Sequence, residues 1–266
     1  MKIEKVMLDD SAYMNAYIAD ETELFTRKAI LIIPGGAYSF CSSIEGEPIA
    51  LAFMSYGFNA FVLNYSVNRE KAFPAQLIQA SKAVKHIKDN AEEFGIEKEE
   101  VYIVGFSAGG HLAASLGTLW HKKEIYEAIQ MPYGYNKPKG MILVYPVITG
   151  MGDFSHKASF RNLLATDEPT LEQLKEASIE LHVSEKACPV YMVHAANDAS
   201  VPVENSLILA MQYSKQKIPF EMHIYPSGEH AFSLANKITW RGNPKYIQEA
   251  NASWVEDAVK WTDKLY

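Results

Sequence analysis

The chemistry that can be read most directly from this chain lies in Gly105-Phe106-Ser107-Ala108-Gly109. These five residues spell G-x-S-x-G between an apolar run, Val101–Phe106, and a stretch of helical periodicity that starts at Ser107. In that setting a sharp strand-to-helix turn holds the serine in a strained conformation with its Oγ exposed. The small residues two before and two after it let the crossing segments approach. The turn also places the serine at a helix N-terminus, where backbone N–H groups can meet developing negative charge. A capping serine after a strand would look similar, so the partners decide.

A serine hydroxyl needs a general base, and the base needs a carboxylate to orient it. The expected chain order is serine, acid, histidine, each just beyond the end of a strand. His156, His182, His194, His223 and His230 follow Ser107 at sufficient distance. His194 and His223 sit inside apolar runs, and His156 and His182 in irregular sequence. His230 lies in Pro226-Ser227-Gly228-Glu229-His230, a turn-rich loop after the last run, and is assigned as the base. Between Ser107 and His230 the aspartates are Asp153, Asp167 and Asp198, and only Asp198 directly follows an apolar run. It is assigned as the acid. His111, one turn into the helix after the serine, reads as packing beneath the turn. An oxyanion hole needs the N–H after the nucleophile, from Ala108, and one from an earlier glycine-rich loop. Ile33-Pro34-Gly35-Gly36-Ala37 supplies that loop, with Gly36 and Ala37 as donors.

These residues need a frame. Six apolar runs read as strands buried on both faces: Lys28–Pro34, Asn59–Tyr65, Val101–Phe106, Gly140–Val147, Pro189–Ala195 and Phe220–Pro226. Helical patterns separate them, one opened by Pro74 and closed by Gly95, another running from about 245 to 265. Alternation of this kind predicts an α/β fold with a mostly parallel, doubly wound sheet and helices on both faces. The segments around Glu4–Asp10 and Met14–Asp20 are expected to form an antiparallel edge pair. Residues 1–266 read as one domain, with cap-like insertions at about 121–138 and 148–187. The second insertion should hold a helix over Leu171–Leu181, capped at Thr170. Mixed-charge patches such as Glu97–Glu100 read as solvated helix faces or turns.

With 266 residues, 48% of them hydrophobic, the chain is long enough to bury a large core. A net charge of −7 argues against a nucleic-acid partner. No apolar run approaches the ~20 residues of a membrane span, and the N-terminal segment lacks the apolar stretch of a secretory signal, so a cytoplasmic protein is expected. Cys41 and Cys188 form no disulfide framework. Histidine and cysteine spacing matches no metal site, and no glycine-rich phosphate loop is present, so neither metal nor cofactor is expected. The sequence does not read out an oligomeric state, and a homo-oligomer is compatible with it.

The chain resembles the α/β-hydrolases, and within them the bacterial intracellular esterases that act on acetyl-xylan and other sugar esters. The resemblance rests on segments such as PGGAY, EGEPIALAF, FVLNYSV, GFSAGGHLAA, VYPVIT, SFRNLLA, ANDASVPVENSL and GEHAFSLAN. It implies Ser107 as nucleophile, Asp198 as acid and His230 as base. It also implies a small-molecule ester substrate, with acetyl and other short acyl groups on sugars or xylo-oligosaccharides first. Two departures stand out: Pro34-Gly35-Gly36-Ala37 replaces the common His-Gly-Gly-Gly, and Ala165 follows Leu-Leu where the pattern has glycine. The expected activity is therefore serine carboxylester hydrolysis. An amidase, peptidase or formamidase using the same residues is the alternative within the fold. A catalytically silent hydrolase fold used for binding is the alternative of another class.

Overall fold

In the computed structural model, which describes residues 1–20 and 25–265, the apolar runs pair into an eight-stranded sheet. The strands are β1 (Lys2–Met7), β2 (Tyr13–Ile18), β3 (Arg27–Ile33), β4 (Asn59–Asn64), β5 (Ile96–Phe106), β6 (Met141–Val144), β7 (Val190–Ala195) and β8 (Phe220–Tyr225). Their spatial order is β1-β2-β4-β3-β5-β6-β7-β8. β1 and β2 form the expected antiparallel edge pair, and β2 joins β4 antiparallel. Every pairing from β4 through β8 is parallel. Parallel pairing needs crossover helices, and these cover both faces.

The helices are α1 (Glu47–Met54), α2 (Ala75–Asp89), α3 (Ala108–Leu119), α4 (Lys123–Ala128), α5 (Lys157–Leu163), α6 (Leu171–Ala177), α7 (Glu204–Gln216), α8 (Glu249–Ala252) and α9 (Trp254–Lys264). Alternation along β3 shows how the sheet serves two cores. Ala29, Leu31 and Ile33 pack with residues of α2, α3 and α7, whereas Ile30 and Ile32 pack with residues of α1 and α9. Each fully buried aliphatic or aromatic side chain contributes about 1.5–3 kcal/mol. Among the described residues no helix is long and apolar enough to cross a membrane. Cys41 and Cys188 are free thiols.

Several element boundaries differ from the sequence expectation, each for a local reason. β5 begins at Ile96, so Glu97–Glu100 lie in a strand and not in a helix face or turn. The register with β3 shifts between Arg27 and Ala29, and this irregularity takes up the extra charged residues, which stay largely exposed. The run at Gly140–Val147 supplies only Met141–Val144 to the sheet, because Tyr145 turns to φ 40°. The helix expected over Leu171–Leu181 ends at Ala177, where the Ser178 hydroxyl donates to the Leu174 carbonyl; a short 3-10 turn at Ile179–Leu181 follows. Its start is as expected, a capping box between Thr170 and Gln173. The C-terminal stretch breaks into a 3-10 turn at Pro244–Tyr246, then α8 and α9.

Of the two long connections, 121–138 carries α4 against α2, and 148–187 carries α5 and α6. The second is tied to α7 and to the loop after β3. Asn205 Oδ1 accepts from the Ile148 and Thr149 N–H groups, and Asn162 Nδ2 donates to the Ala37 carbonyl at 2.9 Å. Both departures from the glycine pattern fall at left-handed backbone: Ala37 has φ 54° and Ala165 φ 53°. An L-residue pays roughly 1–2 kcal/mol there, more than glycine loses in chain entropy. Ala165 is exposed. Ala165→Gly is therefore expected to stabilise the protein by about 0.5–1 kcal/mol, read from the urea midpoint. A midpoint that falls would show that the strain is not there.

Candidate active site

Ser107 occupies the turn between β5 and α3 at φ 51°, ψ −116°, a conformation foreign to strand and helix alike. The turn is this tight because glycine flanks it. A Cβ on Gly109 would collide with the Ile33 carbonyl, and one on Gly105 with the Gly109 carbonyl. The Ser107 N–H donates to the Val144 carbonyl at 3.1 Å, and the Ser107 carbonyl accepts from Val147 N–H at 3.0 Å. These bonds fix the serine from the neighbouring β6 connection.

Three sequence-assigned side chains, each beyond a different strand, meet here. Ser107 Oγ lies 3.0 Å from His230 Nε2. His230 Nδ1 lies 2.7 Å from Asp198 Oδ2. Asp198 Oδ1 accepts from the Ser200 and Val201 N–H groups, both at 2.9 Å. With a carboxylate as its only acceptor at Nδ1, the neutral imidazole carries its proton there, leaving Nε2 to accept from the serine hydroxyl. Burial alone would raise the Asp198 pKa. The hydrogen bonds with His194 and His230, the His230 charge and the Val201 N–H together outweigh it, so the carboxyl lies well below its ordinary range.

The remaining candidates go elsewhere. His111 is fully buried beneath the turn: its Nε2 donates to the Ala177 carbonyl at 2.7 Å and its Nδ1 accepts from the Tyr38 hydroxyl at 2.8 Å. Burial pushes its pKa down to about 4. His182 bonds the Lys175 carbonyl, His223 pairs with Glu221, and Asp167 pairs with Arg69 at 2.6 Å. Asp153 sits on an exposed 3-10 turn. Gly36, at φ 125°, and Ala37 line the cavity above Ser107, while Ala108 opens α3 and is fully buried. The cavity measures about 250 Å³.

Four further residues shape this neighbourhood: Glu45, His156, His194 and Arg241. His194, inside β7, lies with Nε2 3.5 Å from Asp198 Oδ2 and 3.0 Å from the Val201 carbonyl. Glu45 is 1% exposed yet lines the cavity; its carboxylate accepts from Gly35 N–H at 2.9 Å and from the Tyr145 hydroxyl at 2.8 Å. Burial raises its pKa despite both bonds. The Tyr145 oxygen in turn accepts from Ser233 N–H, on the His230 loop. His156 and Arg241 also line the cavity. His156 and His194 both carry a signal, as histidines downstream of Ser107, whereas Arg241 carries none. Glu45 in Glu45-Gly46-Glu47-Pro48 is indistinguishable from an acidic residue leading into a helix. Among the described residues no group of three His, Cys, Asp or Glu side chains is placed to hold a metal ion.

The parallel sheet, the strained serine turn and the serine–histidine–aspartate chain at its strand ends define an α/β hydrolase. The chain matches the BD-FAE family over residues 14–213 and belongs to it. It is 37% identical over 225 residues to endo-1,4-beta-xylanase B of Butyrivibrio fibrisolvens, covering 81% of this chain and 34% of that protein. It is 28% identical over 250 residues to an acetylxylan esterase of Xylanibacter ruminicola, covering 88% and 48% respectively. The chain thus spans between a third and a half of the length of these curated relatives. Its structure is similar to that of an acetyl ester-xyloside bifunctional hydrolase from Caldicellulosiruptor lactoaceticus, with a TM-score of 0.83, 30% identity and coverage of 98% and 95%.

The depressed Asp198 pKa makes a signed statement about stability. Its carboxylate stabilises the fold above the unfolded-state value of about 3.9, and that contribution is lost as pH falls through the lower folded-state value. The difference in unfolding free energy between wild type and Asp198→Asn should therefore be largest at neutral pH and shrink below about pH 4. Urea denaturation of both proteins across that range checks it; a constant difference would contradict the assignment.

Proposed function

We propose that this protein is a serine carboxylesterase that removes short acyl groups, acetyl first, from acylated sugars. The observation that carries the proposal is the continuous hydrogen-bonded chain from Ser107 Oγ through His230 to Asp198, at 3.0 and 2.7 Å, opening into the cavity lined by Gly36 and Ala37.

In this reading Ser107 Oγ attacks the ester carbonyl while His230 Nε2 takes the hydroxyl proton. Asp198 holds the imidazole in the required tautomer and stabilises its cation. The N–H groups of Gly36, Ala37 and Ala108 receive the tetrahedral oxyanion, one such donor being worth roughly 3–4 kcal/mol of barrier. Collapse of the intermediate returns the proton from His230 to the leaving alcohol. Water, activated by the same imidazole, then attacks the acyl-enzyme, releasing the acid and restoring Ser107.

The substrate range follows from size and from kinship. A cavity of about 250 Å³ at the nucleophile accommodates a small acyl group. The names of the relatives, an acetylxylan esterase, a xylanase and an acetyl ester-xyloside hydrolase, support acylated carbohydrate as the alcohol half. The connection 148–187, which contributes His156 to the cavity wall, acts as a small cap.

Hydrolysis of p-nitrophenyl acetate should fall by at least about 10³-fold in Ser107→Ala, with the protein still folded by circular dichroism. Equal rates in the two proteins would refute the assignment. Across p-nitrophenyl esters, kcat/KM should decline from acetate to octanoate; the opposite order would rule out short-acyl specificity.

A further inference from the structure

We propose that a second cavity beside His230 binds the alcohol half of the ester and selects alcohols that carry a carboxylate. The proposal rests on the esterase reading above and deepens it.

The second cavity measures about 480 Å³, and Asn197, Ser200, Glu229, Arg241, Lys245 and Tyr246 contribute to its walls. It shares Ser200, His230, Ala231 and Arg241 with the smaller cavity over Ser107, so the two adjoin along the histidine. Chemistry assigns the halves. The base must return its proton to the leaving alcohol, so the alcohol oxygen has to lie against His230 Nε2. The acyl carbonyl has to lie between Ser107 and the Gly36–Ala37 loop. A substrate placed this way extends its alcohol past His230 into the larger cavity.

Charge then distinguishes among alcohols. Lys245 Nζ is paired with Glu229 at 3.1 Å, which cancels both charges. Arg241 has no such partner: among the described residues no carboxylate lies within 4 Å of its guanidinium. That guanidinium stacks over the Tyr246 ring, 5.2 Å from the centroid. Stacking restrains a side chain that would otherwise lose rotamer freedom on binding, and it leaves the planar fork of N–H donors to meet an oxyanion. The Glu45 carboxylate lies within the field of Arg241 but is occupied by Gly35 N–H and the Tyr145 hydroxyl. Arg241, without an ion-pair partner among the described residues, therefore offers its fork of donors to a carboxylate on the ligand. An acylated acidic sugar, with its ester one ring bond or more from the carboxylate, has the required form.

The test compares 3-acetoxybenzoate with its neutral analogue, methyl 3-acetoxybenzoate. Both release acetate, and only the first has a charged alcohol half. In wild type, kcat/KM for the anionic ester relative to the neutral one should exceed the same ratio in Arg241→Gln by about tenfold, or ~1.4 kcal/mol. Arg241→Lys should retain part of the preference, and raising NaCl to ~0.5 M should erode it in wild type. A ratio that does not change in Arg241→Gln overturns the subsite while leaving the esterase reading intact. No acetate release from either ester by wild type overturns the esterase reading, and the subsite with it.

Discussion

A buried carboxylate at Glu45 joins three loops that come from three strand ends. It holds the Gly35 N–H of the loop after β3 and the hydroxyl of Tyr145 after β6, and Tyr145 takes the Ser233 N–H of the loop after β8. The Ser233 hydroxyl closes the circuit by donating to the Ile44 carbonyl next to Glu45. Burying a carboxyl group costs several kcal/mol unless its oxygens are satisfied. The penalty is eased by the Gly35 N–H and the Tyr145 hydroxyl, and the Ser233 N–H holds that hydroxyl in turn. The arrangement therefore links the position of the Gly36–Ala37 loop to that of His230, although about 190 residues of chain lie between them.

The Asp198 carboxylate plays the same part on the other side of His230. Two backbone N–H groups and two imidazoles surround it. His194 is in turn fixed by the Ser206 hydroxyl at the start of α7 and by the Val201 carbonyl. The acid is thus oriented from β7, from the loop after it and from the following helix. Its orientation leaves Oδ2 aimed at His230 while Oδ1 is spent on the backbone. In the proposed reaction, rigid placement of this kind lowers the reorganisation needed when the imidazole becomes charged.

Much of this was legible in the sequence, and the division follows physical lines. The central strands announced themselves through continuous apolar runs, since burial on both faces leaves no alternation to misread. Ser107, Asp198 and His230 were recoverable because each follows such a run in the order the fold requires. Element ends were less legible. A serine at position 178 that bonds back to Leu174 ends a helix whose periodicity continues, and a register shift absorbs Glu97–Glu100 into a strand. Glu45, Arg241 and the contact of His194 with Asp198 were invisible for a different reason. Their roles come from long-range contacts, and an acidic residue before a helix, a histidine in a strand or an arginine in a turn has an ordinary local explanation.

The tie between the connection 148–187 and the serine side of the molecule has a consequence for how substrates enter. Asn162 donates to the Ala37 carbonyl, and the Ala177 carbonyl accepts from His111, whose other nitrogen accepts from Tyr38. A flap that swings open would have to break these bonds together, and it would strip the Gly36–Ala37 loop of its support as it lifted. The entrance is better described as a standing doorway than as a hinged one. In a molecule built this way, selectivity lies in the side chains that wall the opening, and new preferences can arise one substitution at a time without altering any moving part.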